Sequence, residues 1–158
     1  KSGSPTDGVE ALPPWHPDPM PPELEPYFQE FCDRSLKWSP EQGRLALKGA
    51  YLYQLPANGP DLTGLRVVHW GWWLGTMKKK RFEPSHALAM GLEKQDFLQT
   101  LDLKLGSREL DAYLRGEELS SAGENAWVMI TLDGFPLGWG KRVHGRLKTH
   151  LPKWLRQF

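Results

Sequence analysis

The chain has 158 residues, a formal net charge of +1 and a single cysteine, Cys32. This length allows one compact domain, or one domain with a small satellite, and the lone cysteine excludes an intrachain disulfide and fits a reducing compartment. No window approaches the roughly 20 apolar residues of a membrane-spanning helix, and the first residues lack a signal-peptide pattern. We therefore expect a cytoplasmic protein, monomeric and without a membrane partner.

Residues 1–22 are predicted to form an extended linker. Nine of the 14 prolines lie in the first 40 residues, and each proline removes a backbone donor and restricts the residue before it. The first residue is Lys1 rather than Met, so we expect the chain to be a piece of a longer protein.

A small α+β module is predicted for residues 23–59. Its helix, Glu23–Lys37, has apolar residues close to helical spacing, namely Leu24, Tyr27, Phe28, Phe31 and Leu36. Cys32 lies beside this stripe and is expected in the core rather than as a nucleophile. The pattern then changes to a period of two, which predicts strands at Arg44–Leu47 and Tyr51–Leu55. The breaker Pro56–Pro60 is a candidate domain boundary.

Residues 60–158 are predicted to form a second, mixed domain. Ser107 is expected to cap one helix, which Gly116 stops. Asp133-Gly134 is a favoured two-residue hairpin turn. The remaining predicted elements are strands at Leu65–Trp70, Trp72–Met77, Phe97–Leu103, Ala126–Leu132 and Phe135–Val143, and a short helix after Pro84 that runs through Ser85–Met90. Short strands with two short helices favour a compact α+β barrel.

The residue types typical of catalysis are present without the spacing that catalysis requires. Gly138–Lys141 is rich in glycine but matches no nucleotide-binding fingerprint, and its glycines are expected to relieve crowding around Trp139 or to shape a bulge. The five histidines are dispersed, and Cys32 has no partner at ligand spacing, so no metal site is expected. Ser85 has no identifiable base and is expected to act as a helix cap. We recognise no catalytic centre in the chain.

The charge is strongly segregated along the sequence. Residues 1–43, 44–82, 83–134 and 135–158 carry −5, +6, −6 and +6 respectively, and the last segment has no acidic residue. Two basic segments of this kind favour nucleic-acid binding, in which cations neutralise phosphates and aromatic faces stack on unpaired bases. The plainer alternatives are a solvated turn at Lys78–Arg81 and a structural role for the tail, with Trp139 and Trp154 as core residues.

Several long strings are similar to one family. They are LGTMKKKRFEPSHALA (74–89), DGFPLGWGKR (133–142), GRLKTHLPKWLR (145–156) and YLYQLP (51–56). They resemble the C-terminal region of the bacterial RsmF-type rRNA cytosine-5 methyltransferases, a small module followed by a PUA-like RNA-binding domain. The resemblance covers roughly 15–156, and it implies a PUA-like pseudo-barrel over 60–158.

The resemblance also implies where the chemistry lies. Enzymes of this family bind S-adenosylmethionine in an N-terminal Rossmann-like domain and use cysteines in Thr-Cys and Pro-Cys motifs. The string Phe31-Cys32-Asp33 matches neither motif. We therefore expect no cofactor in this chain, and a catalytic domain in the rest of its parent protein.

The function expected is RNA binding that positions rRNA, or the small ribosomal subunit, for that methyltransferase domain. The expected phosphate contacts are Lys78, Lys79, Lys80, Arg81, Lys141, Arg142, Arg146, Lys148, Lys153 and Arg156, and the candidates for base stacking are His150 and Trp154. One alternative is a scaffolding module that packs on the methyltransferase domain without touching RNA. Another is a free-standing enzyme of unknown type.

Overall fold

The computed structural model describes residues 18, 20–40, 45–55 and 71–156. In chain order, this part contains α1 (Glu25–Ser35), β1 (Leu45–Lys48), β2 (Tyr51–Gln54), β3 (Trp72–Lys78), β4 (Arg81–Pro84), α2 (His86–Gly91), β5 (Thr100–Leu103), α3 (Arg108–Arg115), β6 (Leu119–Ser120), β7 (Ala126–Leu132), β8 (Phe135–Val143) and β9 (Arg146–Thr149). Single 3-10 turns lie at Lys94–Asp96 and Lys153–Leu155. The linker and the strand predicted at Leu65–Trp70 lie outside the described residues, except for Asp18 and residues 20–22.

The first sheet is an antiparallel meander in the order β1-β2-β3-β4. Gly49 turns β1 into β2 with φ +60°, and the two strands lie close to the ranges predicted for them. The strand β4 (Arg81–Pro84) was not predicted from the sequence. Since β2 pairs with β3, this sheet contains strands from both sides of the division predicted between 59 and 60.

The second sheet has the order β5-β7-β8-β9-β6. Only the pair β5–β7 is parallel among these described strands. Asp133 and Gly134 have φ values of +48° and +88°, which is the left-handed pair that a type I′ turn requires. A register shift beside Ile130 and Thr131 places a bulge in the β7–β8 pair.

The two faces of the second sheet form two cores. On one face, Trp127, Met129 and Trp139 join a cluster with side chains of α1 and the first sheet. On the other face, Val128, Ile130 and Leu147 pack with Leu110 and Tyr113 of α3. The second sheet is therefore the middle layer, and the structure confirms the predicted α+β class.

Trp139 is a core residue. It is 1% exposed, and its ring contacts the rings of Phe31, Phe97 and Trp127. Its indole Nε1 donates to the carbonyl oxygen of Ser85 at 2.9 Å. An indole that is buried and has its donor satisfied inside the protein is not available to RNA. Of the two roles left open for Trp139, the core role is therefore confirmed.

Both predicted helix caps are confirmed. The hydroxyl of Ser85 accepts a hydrogen bond from the Leu88 amide at 3.0 Å, and the hydroxyl of Ser107 accepts one from the Leu110 amide at 3.1 Å. Gly116 ends α3 with φ +83°, a conformation that glycine adopts without steric strain. No helix of the described part is long and apolar enough to cross a membrane.

Candidate nucleic-acid interface

The two basic segments meet at one groove. Lys80 and Arg81 from the β3–β4 hairpin, Lys141 from β8 and Arg34 from α1 all line an open groove of about 320 Å³. We call it the basic groove. Its remaining walls are formed by Tyr27, Glu30, Phe31, Ser35, Phe82, Asn125, Ala126, Trp127, Arg142 and Val143. Residues that are 60 positions apart in sequence thus form one positive surface, which a negatively charged polymer requires.

The β3–β4 hairpin presents its four cations to solvent. Lys78 and Arg81 are cross-strand partners, and Lys79 and Lys80 form the turn between them, with Lys80 at φ +57°. All four side chains are exposed. Within the described part of the chain, none of them forms an ion pair. Their charge is therefore available to an anion.

Trp127, Lys141 and Lys148 stand side by side across three strands. Lys141 of β8 pairs with Trp127 of β7 and with Lys148 of β9. The Nζ atom of Lys141 lies 5.5 Å from the centre of the Trp127 ring, within range of a cation–π interaction. This contact fixes one cation on the groove wall, and Lys148 adds a second, exposed cation beside it.

Two family models match the chain. Residues 30–92 match the RsmF rRNA methyltransferase first C-terminal domain, and residues 100–157 match the methyltransferase RsmF PUA domain. The chain belongs to the RsmF-type rRNA methyltransferases, as part of their C-terminal region. The family predicted from the sequence strings is confirmed, and so is the α+β, PUA-like fold.

The basic groove lies between the two RsmF domains. Arg34, Lys80 and Arg81 belong to the first matched stretch, and Lys141 belongs to the PUA domain. The first matched stretch ends at residue 92 and the second begins at residue 100. The domain boundary predicted between residues 59 and 60 therefore falls within the first stretch. All four strands of the first sheet lie within that stretch.

Arg142 must be removed from the expected phosphate contacts. It is 5% exposed, with Nη1 donating to Oε1 of Gln99 at 3.1 Å and with Nε and Nη2 donating to the hydroxyl of Ser121 at 3.2 and 2.8 Å. A Cβ added to Gly123 would lie 2.5 Å from Nη1, so backbone covers the guanidinium. The side chain thus links the segments that carry Gln99 and Ser121, and Arg142 is also one of the residues that line the groove.

His150, one of the two candidates for base stacking, packs against the wall of the groove. Its half-buried ring packs at 72° against Trp127, with the ring centres 4.6 Å apart. Burial is the main cause that lowers its pKa, and Lys141 is one of three cations that add to the effect, while Glu83 opposes it. The imidazole packed on the buried Trp127 indole thus supports the groove wall.

The other expected contacts are spread over the end of the PUA domain. Arg146 pairs with Glu118 at 3.4 Å, and both side chains remain about half exposed. Arg156 is partly buried, and its Nε donates to the carbonyl oxygen of Leu151 at 3.0 Å. Lys153 and Trp154 are exposed.

Cys32 has the properties of a core residue. Its side chain is buried in α1, and burial raises the pKa of the thiol to about 12, with a smaller contribution from Asp33. Because the thiolate is the nucleophilic form, this cysteine is inert at neutral pH. Among the described residues, no group of three metal-ligating side chains is found.

Arg34, Asn125 and Trp127 are groove residues that the sequence analysis missed. Arg34 lies in a segment whose net charge is −5, so the segment charges gave no sign of a basic residue at the groove. Trp127 lies in an apolar strand, and only the β7–β8 register places it beside Lys141. The i, i+4 pairing of Arg34 with Glu30 on α1 is a signal that the sequence does contain.

Proposed function

We propose that this region of an RsmF-type methyltransferase binds rRNA in the basic groove. It would thereby position small-subunit rRNA for an S-adenosylmethionine-dependent methyltransferase domain of the same parent protein. The observation that carries the proposal is the meeting of Lys80 and Arg81 with Lys141 along one groove. The matched family descriptions, an rRNA methyltransferase and its PUA domain, supply the class of ligand.

The electrostatics of the groove favour a polyanion. Lys141 and Lys148 are direct cross-strand neighbours, and like charges in that position repel each other. A bound phosphate relieves this repulsion, and each neutralised phosphate also releases counterions from the RNA. Such contacts fix the orientation of the RNA without choosing its sequence. The proposed role is therefore positional, with methyl transfer assigned to the catalytic domain.

The proposed setting is a cytoplasmic monomer, in which the groove faces RNA and another surface faces the catalytic domain. Sedimentation with and without rRNA tests the monomer. A change from one chain per complex to two would contradict it.

A salt titration of RNA binding tests the main proposal. Six of the expected phosphate contacts lie at the groove or directly beside it, namely Lys78, Lys79, Lys80, Arg81, Lys141 and Lys148. For six phosphates, the logarithm of the association constant should fall with the logarithm of salt concentration at a slope of about −4 to −5. The double variant Lys80→Gln/Arg81→Gln should weaken binding and reduce the steepness of the slope by about 2.

Arg108 provides a matched control for these variants. It is exposed at the start of α3, away from the groove, and Arg108→Gln should leave both affinity and slope unchanged. A flat salt response, or no RNA binding at low salt, would contradict the proposal. It would favour the scaffolding alternative, in which the region packs on the methyltransferase domain without touching RNA.

A further inference from the structure

Trp154 lies outside the basic groove and is the most exposed tryptophan of the described residues. It is 78% exposed and sits on the Lys153–Leu155 turn. Its ring stands nearly perpendicular to the imidazole of His86, at 86° and with the ring centres 6.4 Å apart. An indole left this open to water forgoes most of the free energy that its burial would supply. Its position therefore requires an explanation.

The turn that carries Trp154 is held against the PUA domain. The Leu155 amide donates to the carbonyl oxygen of Pro152 at 2.9 Å, and Arg156 Nε donates to that of Leu151 at 3.0 Å. The Arg156 guanidinium also packs on Gly116, where an added Cβ would lie 3.1 Å from it. The indole is thus presented by a supported turn, which reduces the entropy lost when a ligand orders it.

His86 gives this indole a polar neighbour without adding charge. Its Nδ1 atom is buried and has no hydrogen-bond partner among the described residues. Burial lowers the pKa of the imidazole, so the ring is neutral at pH 7. With Nδ1 buried, Nε2 is the ring atom left for a ligand, and in a neutral imidazole it is a donor or an acceptor according to the tautomer, which suits the polar edge of a base better than a phosphate.

We propose that Trp154 and His86 form a binding site for one unpaired nucleobase, which stacks on the indole beside the imidazole. Lys153 precedes the indole in sequence and is exposed, so a phosphate next to the base meets positive charge. Stacking on aromatic side chains is a general means of holding single-stranded RNA. The inference rests on the proposed RNA-binding function, and it adds a contact to a base where the groove contacts backbone.

An oligonucleotide with its bases removed provides the test. Trp154→Ala should weaken binding of a single-stranded RNA oligonucleotide on the order of tenfold. The same variant should bind an abasic oligonucleotide of equal length as the wild type does, because the phosphates are unchanged. Trp154→Phe should retain part of the affinity for the RNA. Phe135→Ala removes an aromatic side chain that is 76% exposed outside the site, and it should bind both oligonucleotides normally.

The possible results separate this site from the proposed function. If the wild type binds RNA and Trp154→Ala binds it equally well, the stacking site is overturned while the groove stands. Equal losses on the RNA and abasic oligonucleotides also overturn the site, since they indicate a loss of charge or of folding. If the wild type binds neither oligonucleotide, the RNA-binding function fails and the site fails with it.

A second variant addresses His86. His86→Ala should weaken binding of the RNA oligonucleotide less than Trp154→Ala does and leave the abasic one unaffected. Its unfolding in urea should be measured as well, because His86 is the first residue of α2. A His86→Ala protein that is fully folded and binds RNA like the wild type would remove His86 from the site.

Discussion

Lys141 of β8 and Lys148 of β9 are direct cross-strand partners, so two cations stand side by side at the edge of the basic groove. Such a pair stabilises a bound anion and destabilises the unbound sheet. The proposed RNA binding would therefore favour the Lys141–Lys148 pair, whereas the stability of the PUA domain disfavours it.

Lys148→Glu is expected to make the protein more stable and its RNA binding weaker. The new pair with Lys141 should raise the free energy of unfolding by about 0.2–1 kcal/mol at low salt, and the gain should shrink as salt screens it. Urea unfolding at two salt concentrations, beside an RNA-binding titration, measures both effects. A loss of stability together with unchanged RNA binding would show that Lys148 is not part of the anion surface.

Arg142→Lys is expected to destabilise the protein without changing the salt dependence of RNA binding. Lysine cannot replace the guanidinium donors that reach Gln99 and Ser121, and hydrogen bonds of charged groups contribute about 1.5–3 kcal/mol each. Thermal unfolding should show a lower midpoint, with the salt slope unchanged well below it. Full stability with a shallower slope would restore Arg142 as a phosphate contact.

Gly138→Ala is expected to destabilise the PUA domain by about 1–3 kcal/mol, because overpacking forces side chains or backbone to shift. The added Cβ would lie 2.6 Å from the Tyr113 hydroxyl and 3.2 Å from Leu151 Cδ1. Combining it with Tyr113→Phe should recover part of the loss, although that change alone removes the hydrogen bond to the Trp139 carbonyl oxygen. A double-mutant cycle in urea measures this coupling. Strictly additive losses would refute the clash with the hydroxyl.

The stability of the protein should fall as the pH drops below about 6.5, the ordinary pKa of histidine. Burial lowers the pKa values of both His86 and His150 in the folded state. The unfolded chain therefore binds protons first, which disfavours folding as the pH falls from 6.5 toward the folded-state pKa values. Well above pH 7 both histidines are neutral in the folded and the unfolded chain, so their contribution to the slope disappears.

Urea unfolding of the wild type and of His150→Gln at several pH values from 5 to 8 checks this expectation. The variant should show a smaller loss of stability between pH 7 and 5. A variant that is as pH-sensitive as the wild type would exclude His150 as a source of the effect. His144, which is exposed in the β8–β9 turn, provides the matched control His144→Gln.

Signals within a few residues of each other were sufficient to predict several elements. Ser107 and Gly116 bound α3 because a capping hydroxyl and a left-handed glycine act over a single turn. Asp133 and Gly134 predicted the β7–β8 hairpin because a two-residue turn also depends on adjacent residues alone. The family strings then supplied the PUA-like fold, which no local signal contains.

What could not be predicted depends on pairing between distant residues. Lys141 and Arg142 are adjacent, both cationic and both at the groove, yet the Arg142 side chain is buried and its guanidinium is bonded within the protein. That difference depends on contacts with Gln99 and Ser121, which lie 43 and 21 residues away from Arg142. The strands β4, β6 and β9, with two to four residues each, were not predicted from the sequence.

The parallel pairing of β5 with β7 has a consequence for the order in which the PUA domain folds. The β7–β8 hairpin closes across two residues and should form on the microsecond scale. The strand β5 joins that hairpin only after the 22 residues between Leu103 and Ala126, including α3, have closed a long crossover. Loop closure of this kind slows folding. Pulse-labelled hydrogen exchange should thus protect the amides of β7 and β8 before those of β5.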